Sequence, residues 1–404
     1  MKCGLLGRKL GHSYSPQIHA QLGNYSYELF EKEPEELEDF LRNSDWSGIN
    51  VTIPYKKDVI PYLDALSPIA EKLGAVNCIV RRDGKLTGHN TDYFGFQCMV
   101  RASGLDVAGK KVLVLGTGGA SKPVIAALED CGAKIISVSR SGKNNYGNLH
   151  LHADAAVIVN ATPVGMYPNT GISPVELSLF PQLEGVLDIV YNPARTQLLL
   201  DAEARGLAAV NGLLMLVAQA KEAAEWFLTA QLDDSLIDEI HTTLRRQMEN
   251  IVLVGMPGCG KSTVGKVLAE KLGKEFVDAD EKIVELAGKP IPAIFADDGE
   301  EVFRAWETKA LEAIGKCSGL VIATGGGCVT KNRNYPLLHQ NGTIYWLKRA
   351  LDKLPTNGRP LSQVNKLADM YAKRQPLYAA FADHIISNDG TLEETLAQFM
   401  EVCI

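Results

Sequence analysis

The segment 255–263, GMPGCGKST, has the residue types and the spacing of a loop that binds nucleotide phosphates. It matches the pattern G-x-x-x-x-G-K-[ST], with a predicted strand before it and a helical stretch after it. Glycines allow backbone N–H groups to converge on phosphate oxygens, and the N-terminus of the following helix adds partial positive charge. Lys261 is expected to reach the transferable phosphate, and Ser262 to hold Mg²⁺. The segment therefore predicts a site for ATP with Mg²⁺.

Charged residues and glycines follow this loop at spacings that suit an active site. Asp278 and Asp280 stand two residues apart after a predicted strand, so both carboxylates are expected on one side of an extended segment, where they can serve a metal and a hydroxyl group. Arg304 and Glu307 are three residues apart and share one face of a predicted helix. Three glycines, 325–327, follow a buried strand, where a ligand can approach closely. Taken singly, the charged pairs are equally typical of a solvated turn or a surface ion pair.

The first hundred residues hold a second set of reactive groups. Lys56 follows a predicted strand and Asp92 precedes a predicted helix, so the two can form an acid/base pair for interconverting a carbonyl and a hydroxyl group. By spacing alone, a structural ion pair explains them better. Ser15 and Pro16 are predicted as the N-cap and the first residue of a helix. The alternative is functional, because Ser13 and Ser15 with that helix N-terminus can seat a carboxylate.

A glycine turn between them has the position of a dinucleotide site. The predicted strand Val112–Leu115 runs into Gly-Thr-Gly-Gly-Ala at 116–120, with Ser121 where the usual fingerprint has its third spaced glycine. The next strand, Ile135–Val138, ends in hydroxyl and cationic groups rather than the acidic residue that binds the ribose of NAD. These groups, which favour the 2′-phosphate of NADP, are Ser139, Arg140, Ser141 and Lys143.

The elements that must position these residues alternate between short apolar strands and helical stretches, which predicts an α/β protein with parallel sheets. The chain has 404 residues, enough for two or three domains. A boundary is predicted near residue 248. Before it, apolar residues recur at helical spacing from Leu232 to Leu244, and after it a new strand begins at Asn250.

Composition argues against several classes of protein. With 46% hydrophobic and 22% charged residues the chain is of the globular type, and a net charge of −7 disfavours nucleic acid as a partner. No apolar stretch has the length of a membrane span, and the N-terminus does not have the pattern of a signal peptide. The eight cysteines include no Cys-x-x-Cys pair, which argues against a disulfide framework and a zinc site, so a cytoplasmic location is expected.

Residues 249–404 resemble shikimate kinase over essentially their whole length. The resemblance is carried, in order, by the phosphate loop, Asp278-x-Asp280, Phe303-Arg304-x-x-Glu307, the glycines 325–327, Arg359-Pro360-Leu361 and Arg374-x-Pro376-Leu377-Tyr378. It implies that Asp280 positions or deprotonates the attacking hydroxyl of shikimate, and that Arg304, Arg374, Gly325, Gly326 and Gly327 hold this substrate. It also implies that Lys261, Ser262 and Asp278 manage MgATP, with Ser262 and Asp278 on the metal. The ATP site would comprise Gly258, Cys259, Gly260, Lys261, Ser262, Thr263 and, from a closing lid, Arg359.

Residues 1–245 resemble shikimate dehydrogenase. The matching motifs are Gly11-His12-Ser13-x-Ser15-Pro16, Asn50-Val51-Thr52-x-Pro54-x-Lys56, Gly74-Ala75-Val76-Asn77, Asn90-Thr91-Asp92, the glycine turn, Asn160-Ala161-Thr162-Pro163 and Asn211-Gly212 with Gln219. The resemblance implies that Lys56 and Asp92 carry proton transfer while NADPH supplies a hydride. The substrate, 3-dehydroshikimate or shikimate, would be bound by Ser13, Ser15, Thr52, Asn77, Asp92, Tyr191 and Gln219. The cofactor would be bound by Gly116, Gly118, Gly119, Ala120, Ser139, Arg140, Ser141 and Lys143.

Three departures from these families concern the cofactor sites. Tyr93 stands where the dehydrogenase family usually has glycine, and the stretch between Arg140 and Asn160 is short, which predicts a reduced Rossmann domain. The stretch between Arg359 and Arg374 is shorter than the usual kinase lid. The predicted domains are a substrate domain at 1–98 completed by helices at 211–245, an NADP-binding Rossmann domain at 99–210, and a P-loop kinase domain at 249–404, similar to nucleoside monophosphate kinases.

The function expected from both resemblances is a bifunctional enzyme that reduces 3-dehydroshikimate with NADPH and then phosphorylates shikimate with MgATP. Its partners would be these small molecules, with no nucleic acid and no membrane, and an oligomer is compatible with the sequence. Two alternatives stay open. One is a quinate/shikimate dehydrogenase fused to a kinase, against which Ser15 and Arg140 argue. The other is a ligand-sensing regulatory protein built from inactive enzyme domains.

Overall fold

The computed structural model describes residues 1–11, 13–354 and 364–403. The chain forms two compact units, each made of more than one stretch of sequence. The first unit comprises Met1–Met166, Ile172–Tyr191 and Leu198–Leu244, and the second comprises Tyr167–Gly171, Asn192–Gln197 and Arg245–Ile404. Among the described helices, none combines the length and the apolar character that a membrane crossing requires.

The first sheet of the first unit is mixed and has six strands in the order β2-β1-β3-β5-β6-β4. Its strands are β1 Lys2–Gly7, β2 Ser26–Glu31, β3 Gly48–Val51, β4 Ala65–Leu66, β5 Cys78–Arg82 and β6 Lys85–His89. β1 pairs in parallel with β2 and β3, whereas β5 runs antiparallel to β3 and β6. The β5–β6 hairpin turns at Asp83 and Gly84, both with positive φ, as a two-residue hairpin turn requires.

Six of the described helices belong to the first unit in addition to those of its second sheet, the last of them running on past Leu244, and several of them contact the first sheet. They are α1 Ser15–His19, α2 Leu37–Asn43, α3 Pro68–Leu73, α4 Asp92–Ser103, α7 Leu213–Leu228 and α8 Ser235–Met248. The core between the sheet and its helices includes Leu6, Leu41, Ile49, Tyr55 and Ile79, all buried. Helix α7 packs along α4 because Gly95 leaves room for it: a Cβ atom there would lie 2.7 Å from the carbonyl oxygen of Met215.

The second sheet of the first unit is parallel, with the order β11-β10-β9-β7-β8. Its strands are β7 Lys111–Leu115, β8 Lys134–Val138, β9 Val157–Asn160, β10 Gly185–Asp188 and β11 Ala208–Val210, and its helices are α5 Ser121–Asp130 and α6 Gln197–Ala204. Between β8 and β9 there is only a short 3-10 helix, Leu149–His152. A full crossover helix is therefore missing at the point where the sequence between Arg140 and Asn160 is short.

The second unit has a parallel sheet of the order β13-β14-β12-β15-β16. Its strands are β12 Asn250–Val254, β13 Glu275–Asp278, β14 Leu320–Ala323, β15 Gly342–Lys348 and β16 His384–Ser387. Its helices are α9 Lys261–Leu272, α10 Ala279–Ala287, α11 Ile291–Asp297, α12 Gly299–Gly315, α13 Asn334–His339, α14 Val364–Phe381 and α15 Leu392–Cys403. The predicted α/β class with parallel sheets is confirmed.

Two local predictions were wrong. Ser15 is the first residue of α1 rather than its N-cap; Tyr14 is the cap residue and makes no side-chain cap bond. Asp278 and Asp280 do not share an extended segment, because α10 begins at Ala279. The Asp278 carboxylate accepts the backbone N–H of Asp280 and so caps this helix, and an aspartate after a strand is well suited to starting a helix.

Candidate active sites

The first unit holds a cavity of about 250 Å³ whose polar lining contains the substrate residues predicted for the dehydrogenase. These residues, which the fold brings together, are Ser13, Ser15, Thr52, Lys56, Asn77, Asp92, Tyr191 and Gln219. Ala120 of the glycine turn lines the same cavity. A nucleotide bound on that turn would therefore lie next to a small ligand in the cavity.

Sheet register explains why Lys56, Asn77 and Asp92 meet. Asn50 of β3 pairs with Cys78 of β5, and Cys78 pairs with His89 of β6. Because β5 is antiparallel to both neighbours, the end of β3, the start of β5 and the end of β6 lie at one edge of the sheet. The three polar residues lie just beyond that edge, although they are far apart in sequence.

Lys56 and Asp92 form a close ion pair in this cavity. Lys56 Nζ donates to Asp92 Oδ2 over 2.6 Å, and the two side chains are only 20% and 12% exposed. The other carboxylate oxygen, Oδ1, accepts from Asn77 Nδ2 over 2.8 Å. Asp92 is also the first residue of α4, where the helix dipole favours a negative charge. The pair is thus held in one geometry and can exchange a proton with a ligand beside it.

Gln219 reaches the cavity from α7 and is tied to the residue before Asp92. The hydroxyl of Thr91 donates to Gln219 Oε1 over 3.2 Å, and the backbone N–H of Thr91 donates to Asn77 Oδ1 over 2.7 Å. The side chains of Asn77, Thr91 and Gln219 therefore form one polar network, of which Asn77 and Gln219 line the cavity.

Hydroxyl groups stand on the other side of the cavity. The backbone N–H of Ser15 donates to Ser13 Oγ over 3.2 Å, and the rings of Tyr14 and Tyr191 meet edge to face, 6.2 Å apart. Burial raises the pKa of Tyr191, so its hydroxyl stays protonated and can donate to a ligand. Sequence reasoning did not select Tyr14, because only the fold reveals its ring contact with a residue so distant in sequence.

The glycine turn after β7 is open to a ligand. Gly116 has φ +102°, and a Cβ atom there would lie 2.8 Å from the methyl group of Thr162, so glycine is required. A Cβ atom on Gly118 or Gly119 would have no neighbour within 4 Å. The turn leads into α5 at Ser121, and the N-terminus of a helix, with its partial positive charge, suits a phosphate.

The residues predicted to recognise NADP follow β8, the neighbour of β7. Arg140, Ser141 and Lys143 are exposed, and Ser139 is half-buried. Because β7 and β8 are parallel, these groups and the glycine turn lie at the same edge of the sheet. Their cations and hydroxyls fit a dianionic 2′-phosphate.

The second unit has a larger cavity of about 580 Å³ at the carboxyl edge of its parallel sheet. The segments after β12, β13, β14 and β15 all contribute to it. Its predicted residues are Gly258, Gly260, Lys261, Ser262, Thr263, Asp278, Asp280, Arg304, Gly325, Gly326, Gly327 and Arg374. Cys259 belongs to the phosphate loop, but it is buried and does not line the cavity. Arg359 lies outside the described residues.

The lysine of the phosphate loop donates hydrogen bonds to the backbone of the same loop. Lys261 Nζ donates to the carbonyl oxygens of Gly255 and Met256 over 3.0 and 3.1 Å. Ser262 Oγ donates to Asp278 Oδ2 over 2.7 Å, so the two residues predicted for Mg²⁺ stand together. Across the described residues, no three His, Cys, Asp or Glu side chains group as a metal cage. This donor set suits Mg²⁺, which takes few protein ligands and completes its shell with phosphate oxygens and water.

A buried ion pair forms the floor on the β14 side. Arg304 Nη1 donates to Glu307 Oε2 over 2.8 Å, and these side chains are 5% and 1% exposed. A Cβ atom on Gly325 would lie 2.9 Å from Glu307 Oε1 and 3.1 Å from Asp280 Oδ1, so both carboxylates converge where this glycine leaves space. Burial raises the pKa of Glu307, and Arg304 opposes that rise. The carbonyl of Gly326 accepts from Arg374 Nη1 over 3.1 Å.

Two residues of this cavity have no assigned role from sequence. Glu307 belongs to a recognised motif, and the structure adds that its carboxylate faces Asp280. Arg349 follows β15, on the other side of the phosphate loop, and its Nη1 lies 3.9 Å from the Cβ position of Gly260. Its sequence context, Lys-Arg-Ala after an apolar strand, gives no signal that separates it from a surface arginine.

Comparisons with known proteins match the two parts of the chain to two different families. Residues 257–404 match the family model described as shikimate kinase, and residues 5–79 match the one for the shikimate dehydrogenase substrate binding domain. The NADP(+) shikimate dehydrogenase of Clostridium perfringens strain SM101 is 38% identical over 264 residues, which are 60% of this chain and 97% of that protein. The corresponding protein of Clostridium beijerinckii is 36% identical over 266 residues, 61% of this chain and 98% of its own length.

Solved structures give the same result. Shikimate dehydrogenase 1 from Peptoclostridium difficile is 39% identical with a TM-score of 0.56, covering 60% of this chain and 97% of its own. A chorismate mutase/shikimate 5-dehydrogenase fusion protein from Clostridium acetobutylicum is 36% identical with a TM-score of 0.57, covering 60% and 96%.

Proposed function

From the premise that this chain belongs to the shikimate dehydrogenase family and carries a shikimate kinase domain behind it, we propose that one polypeptide catalyses two consecutive reactions. The first is the reduction of 3-dehydroshikimate to shikimate with NADPH. The second is the phosphorylation of shikimate by MgATP at the hydroxyl group that the first reaction makes. Both reactions belong to the shikimate pathway of aromatic amino acid biosynthesis.

Lys56 and Asp92 are the proposed proton-transfer groups of the reduction. NADPH, when bound, supplies the hydride to the ring ketone. Lys56 Nζ, held by Asp92 at 2.6 Å, donates a proton to the ketone oxygen as negative charge develops there. Asp92 keeps this ammonium group in place, Asn77 Nδ2 donates to the other oxygen of Asp92, and both residues contact the ring hydroxyls of the substrate. In the reverse direction the same lysine takes the proton back.

Binding and orientation are proposed for the rest of the cavity. Ser13 and Ser15 receive the carboxylate of the substrate, while Thr52, Tyr191 and Gln219 contact its hydroxyl groups. On the adjoining turn, Gly116, Gly118, Gly119 and Ala120 hold the pyrophosphate of NADP. The 2′-phosphate is held by Ser139, Arg140, Ser141 and Lys143, and the exposure of the two cations supports this assignment.

The kinase half works by positioning and charge. MgATP, when bound, supplies the phosphoryl group. Lys261 turns from its carbonyl partners to the phosphate oxygens, and Ser262 with Asp278 holds Mg²⁺. Asp280 orients the attacking hydroxyl group and takes its proton. Arg304 and Arg374 fix the carboxylate of shikimate above the three glycines.

A single observation carries the dehydrogenase proposal: the Lys56–Asp92 pair of 2.6 Å lies in a cavity that also contains Ser13, Ser15 and Gln219. The test is a coupled assay in which purified protein receives 3-dehydroshikimate, NADPH and MgATP and the products are identified by mass. Shikimate 3-phosphate is expected, and shikimate alone when ATP is omitted. Failure of both conversions with retained binding of shikimate would favour the ligand-sensing alternative, and faster turnover of quinate would favour the quinate enzyme.

A reducing cytoplasm is the proposed location. All cysteines that the structure describes are unpaired, among them Cys259 in the phosphate loop. Free thiols of this number are typical of proteins in a reducing compartment.

A further inference from the structure

A chain of hydrogen-bonded polar side chains, two buried and one half-buried, joins three elements of the dehydrogenase unit outside the cavity. His89, the last residue of β6, lies between Ser67, just before α3, and Glu222 of α7. His89 Nδ1 is 2.7 Å from Ser67 Oγ, and His89 Nε2 is 3.2 Å from Glu222 Oε1. The ring of Trp226 stacks on the imidazole at 4.2 Å. None of these four residues has a role in the substrate site or the cofactor site of the proposed dehydrogenase.

The hydrogen bonds of the two partners of His89 suit an imidazole that carries its hydrogen on Nε2. Ser67 Oγ accepts the backbone N–H of Ala70, which leaves its own hydrogen free to be donated to His89 Nδ1. His89 Nε2 then carries the hydrogen and donates it to Glu222. Burial raises the pKa of Glu222, in keeping with a carboxylate that has little contact with water. Its second oxygen, Oε2, is buried and makes no hydrogen bond with the described residues.

The position of this chain relates it to the reaction. His89 is three residues before Asp92, and Glu222 is one helical turn after Gln219. Two side-chain hydrogen bonds therefore join the end of β6 to α7: Thr91 to Gln219, of which Gln219 lines the cavity, and His89 to Glu222, neither of which lines it. Asp92 belongs to the first element and Gln219 to the second. The bond between His89 and Glu222 is thus a second connection, besides that of Thr91 to Gln219, that can set the distance between Asp92 and Gln219.

We propose that the Ser67–His89–Glu222 chain is a positioning device, which holds the Lys56–Asp92 pair at the correct distance from the substrate groups of α7. The proposal rests on the dehydrogenase function stated above. Turnover is more sensitive to this distance than binding is, because a displacement of about 1 Å from the reacting geometry can cost about 10²-fold in rate. Ser13 and Ser15 lie just before and at the start of α1, outside the elements that this hydrogen-bonded chain joins, so we expect their contacts with the substrate to be unchanged by it.

The test compares His89→Phe and Glu222→Met, which break the chain, with Glu222→Gln, which keeps an oxygen to accept from His89 Nε2. Trp226→Phe is the matched control, since it alters the same buried cluster without removing a hydrogen bond of the chain. In His89→Phe and Glu222→Met, kcat for 3-dehydroshikimate is expected to fall about 10- to 100-fold, with KM for NADPH within about twofold. Glu222→Gln is expected to recover most of the lost turnover.

Two results would overturn the proposal. One is a kcat within about twofold of wild type in both chain-breaking variants. The other is an equal loss in Glu222→Gln and Glu222→Met, which would show that the hydrogen bond to Glu222 sets nothing. If wild-type protein reduced no 3-dehydroshikimate, the proposed function would fail instead. Hydrogen exchange at the amides of residues 90–92 would then still decide: faster exchange in His89→Phe than in Trp226→Phe supports the chain, and equal exchange refutes it.

Discussion

Replacing Lys56 with alanine tests the proton-transfer assignment directly. The ammonium group is mostly buried, and its 2.6 Å bond to Asp92 directs it into the cavity that also holds Ser13 and Gln219. Loss of a positioned acid/base group typically costs about 10²- to 10⁴-fold in rate. At about 1.4 kcal/mol for each factor of ten, this raises the activation barrier by about 3–6 kcal/mol. We expect kcat for 3-dehydroshikimate reduction to fall within that range.

Binding should suffer less than turnover, because Ser13, Ser15 and Gln219 remain to hold the substrate. Steady-state oxidation of NADPH, followed by its absorbance, gives kcat and KM separately. Lys57→Ala is the matched control. Lys57 is the exposed neighbour of Lys56, so this substitution removes the same charge, but from the surface. Phosphorylation of supplied shikimate by the same preparation shows that the protein is intact. If kcat in Lys56→Ala stayed within about threefold of the control, proton transfer would have to pass through Asp92 and water.

Three further predictions concern the cofactor, the two activities and pH. Arg140→Asp should weaken the use of NADPH relative to NADH by about ten- to over a hundredfold, since a charge-assisted contact is worth about 1.5–3 kcal/mol; a wild-type preference for NADH in the same rate assay would contradict it. Lys261→Ala should abolish phosphorylation and leave reduction within about twofold, whereas Asp92→Asn should do the reverse; a folded variant that loses both activities in parallel assays would show that the sites are coupled. Burial lowers the pKa of His19 to about 3. As the pH falls below about 6.5, His19 therefore gains a proton only in the unfolded chain. The free energy of unfolding should then drop by up to about 1.4 kcal/mol per pH unit. Urea unfolding between pH 7 and pH 5 should show a flatter dependence in His19→Phe, and an unchanged slope would refute the assignment.

Local patterns were sufficient for the phosphate loop and for the α/β class. The run Ile251–Val254, the glycines and Lys261 are contiguous, so one short segment contains the strand, the turn and the helix start that the chemistry needs. The hairpin at Asp83 and Gly84 was predictable for the same reason, since two adjacent residues determine the turn.

Local patterns failed at the first residues of two helices. A spacing of two predicts a common face only if the strand continues, but the Asp278 side chain accepts the N–H of Asp280 and starts α10 at Ala279. At Ser15 the backbone is already helical at Tyr14, with φ −79° and ψ −9°, so the helix begins one residue earlier than the cap pattern indicates. In both cases the helix begins earlier than the pattern indicates, and this changes which residue is the N-cap.

Residues that depend on long-range packing left no usable signal. The contact that distinguishes Glu222 is with His89, which is 133 positions away. Arg349 becomes part of a cavity only because β15 pairs with β12 and its end lies beside the phosphate loop. Neither fact is contained in the residues that surround them in sequence.

The Lys56–Asp92 pair shows what changes an ordinary spacing into a site. A lysine and an aspartate 36 positions apart are unremarkable, and a structural ion pair is the simpler interpretation. The pairing of β5 with β3 and β6 brings the residues after β3, before β5 and after β6 to one edge, so Asn77 stands where it can hold the carboxylate from the other side. A surface ion pair would leave that second oxygen to water. Here it is bonded to an amide, and the pair lies in a cavity with two serines and a glutamine, so its remaining hydrogen-bonding capacity is directed at a ligand.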